Sequence, residues 1–172
     1  MRRRGGRGFT LIELMIVITI VGVLAVFGLP EMRNLVVGNR MKTLSLDIYS
    51  SLALARSEAV KRNTGNVSMV ATSGNWQNGW TVCVDSNADG SCAGEVTLTI
   101  ADAVDSSIAL AGPAGNIVTY SRDGRLSSPS ALFKITAGAN NANVPMRCVD
   151  VNVSGRPRTL VDTNHVDSDN CN

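Results

Sequence analysis

Apolar and polar positions change rhythm along this chain in a way that divides it. From Phe9 to Leu29 the run is apolar and carries one charge, Glu13. A bilayer core takes about 20 apolar residues at ~1.5 Å rise each, so this segment is long enough to span one as a helix. From Glu31 to Arg62 there is no further proline and apolar residues recur at helical spacing. Leu44, Ile48, Leu52, Leu54 or Ala55, and Ala59 form one stripe, while Lys42, Asp47, Ser51, Arg56 and Glu58 occupy other sides. The pattern predicts one long helix whose amphipathic half packs on a globular part, with Pro30 and Gly38 as sites of kinking or local melting. Asn63-Thr64-Gly65-Asn66 carries the turn residues that end it. Beyond, β-prone runs alternate with turns at 67–71, 79–85, 95–100, 117–120, 132–136, 146–153 and 159–161. Proline stays in linkers such as Gly112-Pro113 and Ser128-Pro129, apart from Pro157. The expected class is α+β, a long helix against an antiparallel sheet.

Charge adds an orientation. Arg2, Arg3, Arg4 and Arg7 precede the apolar run, which keeps that end cytoplasmic and sends the C-terminal part across the membrane. A secretory signal would have a shorter apolar region followed by a small-residue cleavage site; here the small residue, Gly8, comes first. Cutting there removes the basic leader and keeps the apolar helix. The chain holds 16 Lys+Arg against 14 Asp+Glu. Without the leader arginines the basic side chains are outnumbered, so a generally basic surface is excluded and polyanion binding must come from a local cluster. The part of the chain beyond the helix is the size of one domain.

Cys83, Cys92, Cys148 and Cys171 all lie beyond the apolar segment, on the side expected to be oxidising, and an even count there reads as disulfides. Cys83–Cys92 and Cys148–Cys171 are the expected pairs, because each closes a local, turn-rich loop. Structural zinc is disfavoured: close Cys-x-x-Cys pairs are absent from the sequence and His165 is its one imidazole.

Gly8-Phe9-Thr10-Leu11-Ile12-Glu13 resembles the prepilin-peptidase site of type IV pilins and of type II secretion pseudopilins. The resemblance implies cleavage between Gly8 and Phe9, N-methylation of Phe9, and Glu13 as an assembly residue that pairs with the N-terminal amine of a neighbouring subunit. It also makes Pro30 the helix-kinking proline that many pilins carry. A carboxylate at membrane depth costs about 2.5–3.5 kcal/mol on insertion scales, which is why Glu13 calls for a partner. Tyr49-Ser50-Ser51-Leu52-Ala53-Leu54-Ala55-Arg56-Ser57-Glu58-Ala59-Val60-Lys61-Arg62-Asn63 resembles the helix signature of the FimT/FimU minor pilins and GspH pseudopilins. So does Gly79-Trp80-Thr81-Val82-Cys83-Val84-Asp85 running into an Asp/Asn/Gly turn. The resemblance covers most of the chain, least so between Ala101 and Asn143, and implies a type IV pilin fold and a minor rather than a major subunit.

Gly155-Arg156-Pro157-Arg158 resembles the Gly-Arg-x-Arg motif of FimT proteins, which are implicated in binding DNA during natural transformation. Two guanidiniums held apart by a proline of fixed φ on a stiff, protruding turn would suit phosphate oxygens. The competing account is that they are solvated loop charges paired with Asp150 or Asp162. Asp150, Asp162, Asp167 and Asp169 make this segment acidic, so DNA binding requires the arginines to be segregated from them, with Arg122, Arg125, Lys134 or Arg147 nearby.

Other motifs have plainer readings. Asp85-Ser86-Asn87-Ala88-Asp89-Gly90 starts like a calcium loop, but its twelfth position is Val96 instead of a bidentate acid, so a disulfide-closed turn is expected. Asp123-Gly124 reads as a hairpin turn. Trp80 alternates with Val82 and Val84 and belongs in the core; Trp76 is left open between core and base-stacking platform. His165 lies in an acidic tail away from any nucleophile at a telling spacing, so no enzyme and no cofactor is expected.

The organisation expected is a cleaved leader at 1–8, a transmembrane and filament-core helix at 9–29, its amphipathic continuation at 30–62, and a β-rich domain at 63–172. The function implied is that of a minor type IV pilin binding DNA non-specifically in natural transformation. The alternatives are a priming subunit for pilus assembly and adhesion, or a GspH-like secretion pseudopilin. Partners would be major and minor pilins, prepilin peptidase, the inner membrane and DNA. The location would be the inner membrane with a periplasmic C-terminal domain, then the pilus at the cell surface.

Overall fold

The structure, a computed structural model, describes residues 9–63, 66–127, 129–138, 144–162 and 171. Gly8 and the leader, His165, Asp167 and Asp169 fall outside the described residues. The chain divides into two compact units, Met1–Val36 and Val37–Asn172. One helix, α1 (Leu11–Arg62), contributes to both.

In the first unit every described residue from Phe9 to Val26 is exposed, as an apolar helix made for lipid or for other helices must be in an isolated chain. Its N-terminus is held by a reciprocal pair. The Glu13 N–H donates to Thr10 Oγ1 at 3.3 Å, and Glu13 Oε2 accepts from the Thr10 N–H at 3.3 Å. This is a capping box, which satisfies two of the donors a helix start leaves unpaired. The chain is helical at both Pro30 and Gly38, so neither position melts it. At Gly38 a side chain would meet only Val144 Cγ1 at 3.6 Å, and the neighbouring Val37 and Met41 are buried and hold the turn.

The second unit packs the rest of α1 against β1 (Asn66–Ala71), β2 (Trp80–Asp85), β3 (Val96–Ala101), β4 (Ile108–Ala111), β5 (Ile117–Tyr120), β6 (Ala131–Ala137), β7 (Arg147–Val151) and β8 (Pro157–Val161). These form two antiparallel four-stranded sheets rather than the single sheet expected, in the orders β3-β2-β1-β5 and β4-β6-β7-β8. Buried helix residues run from Val37 and Met41 through Ile48, Leu52, Ala55 and Ala59, so Ala55 rather than Leu54 continues the stripe. They meet Met69, Trp80, Val118, Tyr120, Phe133 and Val149 in one core.

Ser51 departs from its expected place on a polar side. It is buried, and its hydroxyl accepts from Trp80 Nε1 at 3.0 Å, giving the core tryptophan the partner its indole N–H needs. Trp76 is also core. It packs edge-on to Phe133 with ring centroids 4.8 Å apart, so neither tryptophan offers a surface for bases.

β4 has no counterpart in the sequence reading, since Ala109 and Ala111 are poor strand formers. Gln77 explains it. From a short 3-10 turn (Trp76–Asn78), its Nε2 donates to Ile108 O at 2.9 Å and its Oε1 accepts from Leu110 N at 2.8 Å. The side-chain amide thus pairs with the edge of β4 as a neighbouring strand would. Gln77→Ala is expected to leave these backbone groups short of partners and to cost about 2 kcal/mol. Faster amide exchange at Leu110 than at Val118 would accompany it.

Both disulfides join the expected partners, Cys83 to Cys92 and Cys148 to Cys171. The Asp85–Gly90 loop closes on itself: Asp85 is buried and its Oδ2 accepts from Ser68 Oγ at 3.2 Å and Gly90 N at 3.1 Å. Among the described residues no three His, Cys, Asp or Glu side chains come together as metal ligands.

Candidate functional site

The site is built where two turns abut. One, Ser121–Arg125, follows β5 and is closed by Gly124 N–H to Ser121 O at 2.8 Å and Ser121 N–H to Arg125 O at 2.9 Å. The other links β7 to β8 and is closed by Gly155 N–H to Asn152 O at 2.8 Å. Both need glycine, at φ +74° for Gly124 and +76° for Gly155, in the left-handed region where a Cβ is strained. Space forbids a side chain as well. A Cβ on Gly155 would collide with Gly124 O and lie 3.1 Å from Tyr120 Cε1, and one on Gly124 would lie 2.8 Å from Val60 Cγ2.

Arg56 ties both turns to α1. Its Nε donates to Gly124 O at 3.0 Å and its Nη2 reaches Ser154 O at 3.5 Å. Its partners are carbonyls, so its charge is not cancelled by a carboxylate among the described residues. Tyr120 lies beneath, fully buried, and burial raises its phenol well above the usual range despite the Arg56 charge. Sequence reasoning left Arg56 among the solvent-facing residues, because nothing in helical periodicity tells of a bond to turns this far away in sequence.

The arginines of the motif part company. Gly155 and Arg156 end the turn, whereas Pro157 and Arg158 open β8, so the motif is not a wholly protruding turn. Pro157 is tolerated there because β8 is an edge strand and this is its first residue. Arg158 stands opposite Asp150 in register, with Nη2 and Nε at 2.7 and 2.8 Å from the same carboxylate oxygen. Arg156 is exposed and has no ion-pair partner among the described residues. The same holds for Arg122 and Arg125 on the adjoining turn. Asp123 is the one acid of that turn. Hydrogen bonds from Ser121 Oγ and the Arg125 N–H, with the Arg125 charge beside it, hold its carboxyl below the usual range.

Lys134 and Arg147 do not join this group. They sit in β6 and β7 at the pairs Lys134–Cys148 and Arg147–Ile135, with Arg147 at the far end of β7 from the turn, about 13 Å of strand from Val151. Asp162 is buried beyond β8 and is not the partner of either motif arginine in any ion pair described.

The sequence from residue 45 to 155 matches the family model described as type II transport protein GspH, and residues 3–29 match the prokaryotic N-terminal methylation motif. The chain belongs to the GspH family. Members of this family are structural pilin and pseudopilin subunits rather than enzymes. The fold agrees with that of the type IV minor pilin FimU of Pseudomonas aeruginosa strain PAO1 in two crystal forms. In space group P21 the TM-score is 0.59 at 20% identity, over 78% of this chain and 96% of FimU. In space group P65 the values are 0.55 and 20%, over 76% and 99%. No curated protein sequence matches the chain. Family membership and the methylation motif carry with them prepilin processing and association with other pilins, and the apolar helix is consistent with inner-membrane anchoring and assembly into a pilus.

Proposed function

We propose that this GspH-family subunit is a FimT-like minor pilin that binds DNA through phosphate contacts and supports its uptake in natural transformation. It would be cleaved between Gly8 and Phe9, methylated on Phe9, anchored in the inner membrane with its globular unit in the periplasm, and displayed on the pilus after assembly. Glu13 would register it against neighbouring subunits. The observation that carries the DNA reading is the pair of abutting turns. Arg56, Arg122, Arg125 and Arg156 lie on or against those turns, where Asp123 is the one acid within the turns themselves among the described residues, in a chain whose overall charge would not attract DNA. Phosphate contact without base-edge reading gives non-specific binding that weakens with salt.

Arg156 is the main ligand in this account and Arg158 a minor one, since Asp150 already occupies its guanidinium. For the full chain in non-ionic detergent, Arg156→Gln should weaken duplex binding about tenfold at low salt and lower the logarithmic salt slope by about 0.9. Arg158→Gln should weaken it less than threefold, and Asp150→Asn should tighten it by freeing Arg158. Titration across a salt series checks all three. Absence of wild-type binding at low salt would overturn the reading.

The engagement of Arg158 by Asp150 favours a second reading, a priming subunit needed for pilus assembly and not for DNA. Arg156→Gln cells that keep their pili and lose transformation support the first reading. Deletion that removes the pili, with Arg156→Gln silent, supports the second. Deletion that stops protein secretion instead would place the chain in a secretion pseudopilus.

A further inference from the structure

Beside the two turns runs a groove that the phosphate-binding account does not use. Its walls are Tyr49, Ala53, Arg56, Val60 and Lys61 on α1 and Pro157 at the start of β8, around a volume of about 480 Å³. Tyr49, Ala53, Arg56 and Val60 follow one another at three- and four-residue steps, so they form a single stripe next to the buried one. Tyr49 is 40% exposed and Val60 51%, leaving an apolar floor open to solvent beside the stripe that Ile48, Leu52, Ala55 and Ala59 bury. Cations border that floor. Arg56 spends its hydrogen bonds on carbonyls and keeps its charge, Lys61 lines the groove with Glu58 at 3.2 Å as its counter-ion, and Pro157 is bonded directly to Arg156.

We infer that this groove receives an unpaired nucleobase whose flanking phosphate is held by Arg156, so that the preferred ligand is a single-stranded nucleic acid. The inference rests on the DNA-binding reading above and adds the class of strand. An aromatic and aliphatic floor accepts any base through its π-face without reading its edge, and a basic rim tracks the backbone. Bases stacked within a duplex cannot enter a groove of this kind. A protein segment would gain from the floor but not from the uncompensated Arg56, and the position of Pro157 next to Arg156 joins the groove to the phosphate site rather than to a separate surface.

The test uses the full chain in non-ionic detergent and three fluorescent probes of equal length: a single strand, its duplex, and an abasic single strand with the same phosphates. The single strand should bind about tenfold more tightly than the abasic strand. Tyr49→Ala should remove that difference and leave affinity for the duplex and the abasic strand unchanged; Tyr49→Phe should keep it. Circular dichroism of the variants confirms that they fold. Equal wild-type affinity for single and abasic strands, or a difference that survives Tyr49→Ala, overturns the inference while Arg156-dependent duplex binding keeps the broader reading intact. No binding of any probe overturns both. Unchanged binding in Tyr49→Ala together with loss of incorporation into pili would assign the groove to a neighbouring subunit instead.

Discussion

Gly155→Ala should lower the stability of the Val37–Asn172 unit by about 3 kcal/mol, a large effect for a single methyl group. Two costs combine. A non-glycine residue at φ +76° is strained, and the added Cβ runs into Gly124 O, backbone that cannot rotate aside as a flexible side chain could. Relief requires one turn to move from the other, which breaks the Leu126 N–H to Val153 O bond at 3.2 Å and weakens the hold of Arg56 on both. The melting temperature should fall by about 10 °C. Under the DNA reading, affinity should fall with it even below the melting point, because Arg156 leaves its place beside Arg122 and Arg125. A variant that melts within about 2 °C of wild type would mean that the turns separate at little cost, and the arginine cluster would lose its structural basis.

The double replacement Cys148→Ser, Cys171→Ser should have an effect at least as large. Cys148 and Cys171 lie 23 residues apart, and closing a loop of that length stabilises by about 3 kcal/mol in the chain-entropy account. The sulfurs are also buried, in a small second core with Met146 and with Leu132 and Leu160 packed against it, so two hydroxyls would enter an apolar site. By denaturant unfolding the loss should therefore reach or exceed about 3 kcal/mol. The corresponding Cys83→Ser, Cys92→Ser variant, with a loop of 9 residues, should lose less. Leu160 and Arg158 stand on the same face of β8, so the first variant should also loosen the Arg158–Asp150 pair. Equal stability of the two double variants would refute this ordering.

Much of this fold is written in local pattern. The helix, seven of the strand runs and the burial of Trp80 follow from periodicity and turn residues, because those positions answer to neighbours three, four or two residues away. The features that escaped depend on partners distant in sequence. β4 exists because Gln77 supplies a side-chain amide where a strand would be, and Ser51 is buried because Trp80 needs an acceptor. The split of the strands into two sheets comes from chain crossings that no short window records. At the candidate site the motif Gly155-Arg156-Pro157-Arg158 was visible as residues, yet its division into a turn arginine and a strand arginine comes from the register of β8 against β7. Arg56 stood in the helix signature, but nothing there marked its bonds to the two turns. Thr10 and Glu13 did: the Thr-x-x-Glu spacing at a helix start is a capping box by itself, although at membrane depth the carboxylate reads first as a lone charge.

That box bears on how a subunit could leave the bilayer and return to it. Glu13 is not a bare ion awaiting a counter-charge: Thr10 already shares it, donating its backbone N–H at 3.3 Å and its hydroxyl at 3.4 Å to Glu13 Oε2, bonds that are long and easily surrendered. Thr10 lies after the expected cleavage point, so the arrangement outlives removal of the leader. Entry into a filament would then be an exchange of one partner for another rather than the quenching of a naked charge, with only a modest drop in energy. Under the pilus reading proposed above, a shallow step of that kind could be run in either direction, as growth and withdrawal of a fibre from one pool of subunits would require.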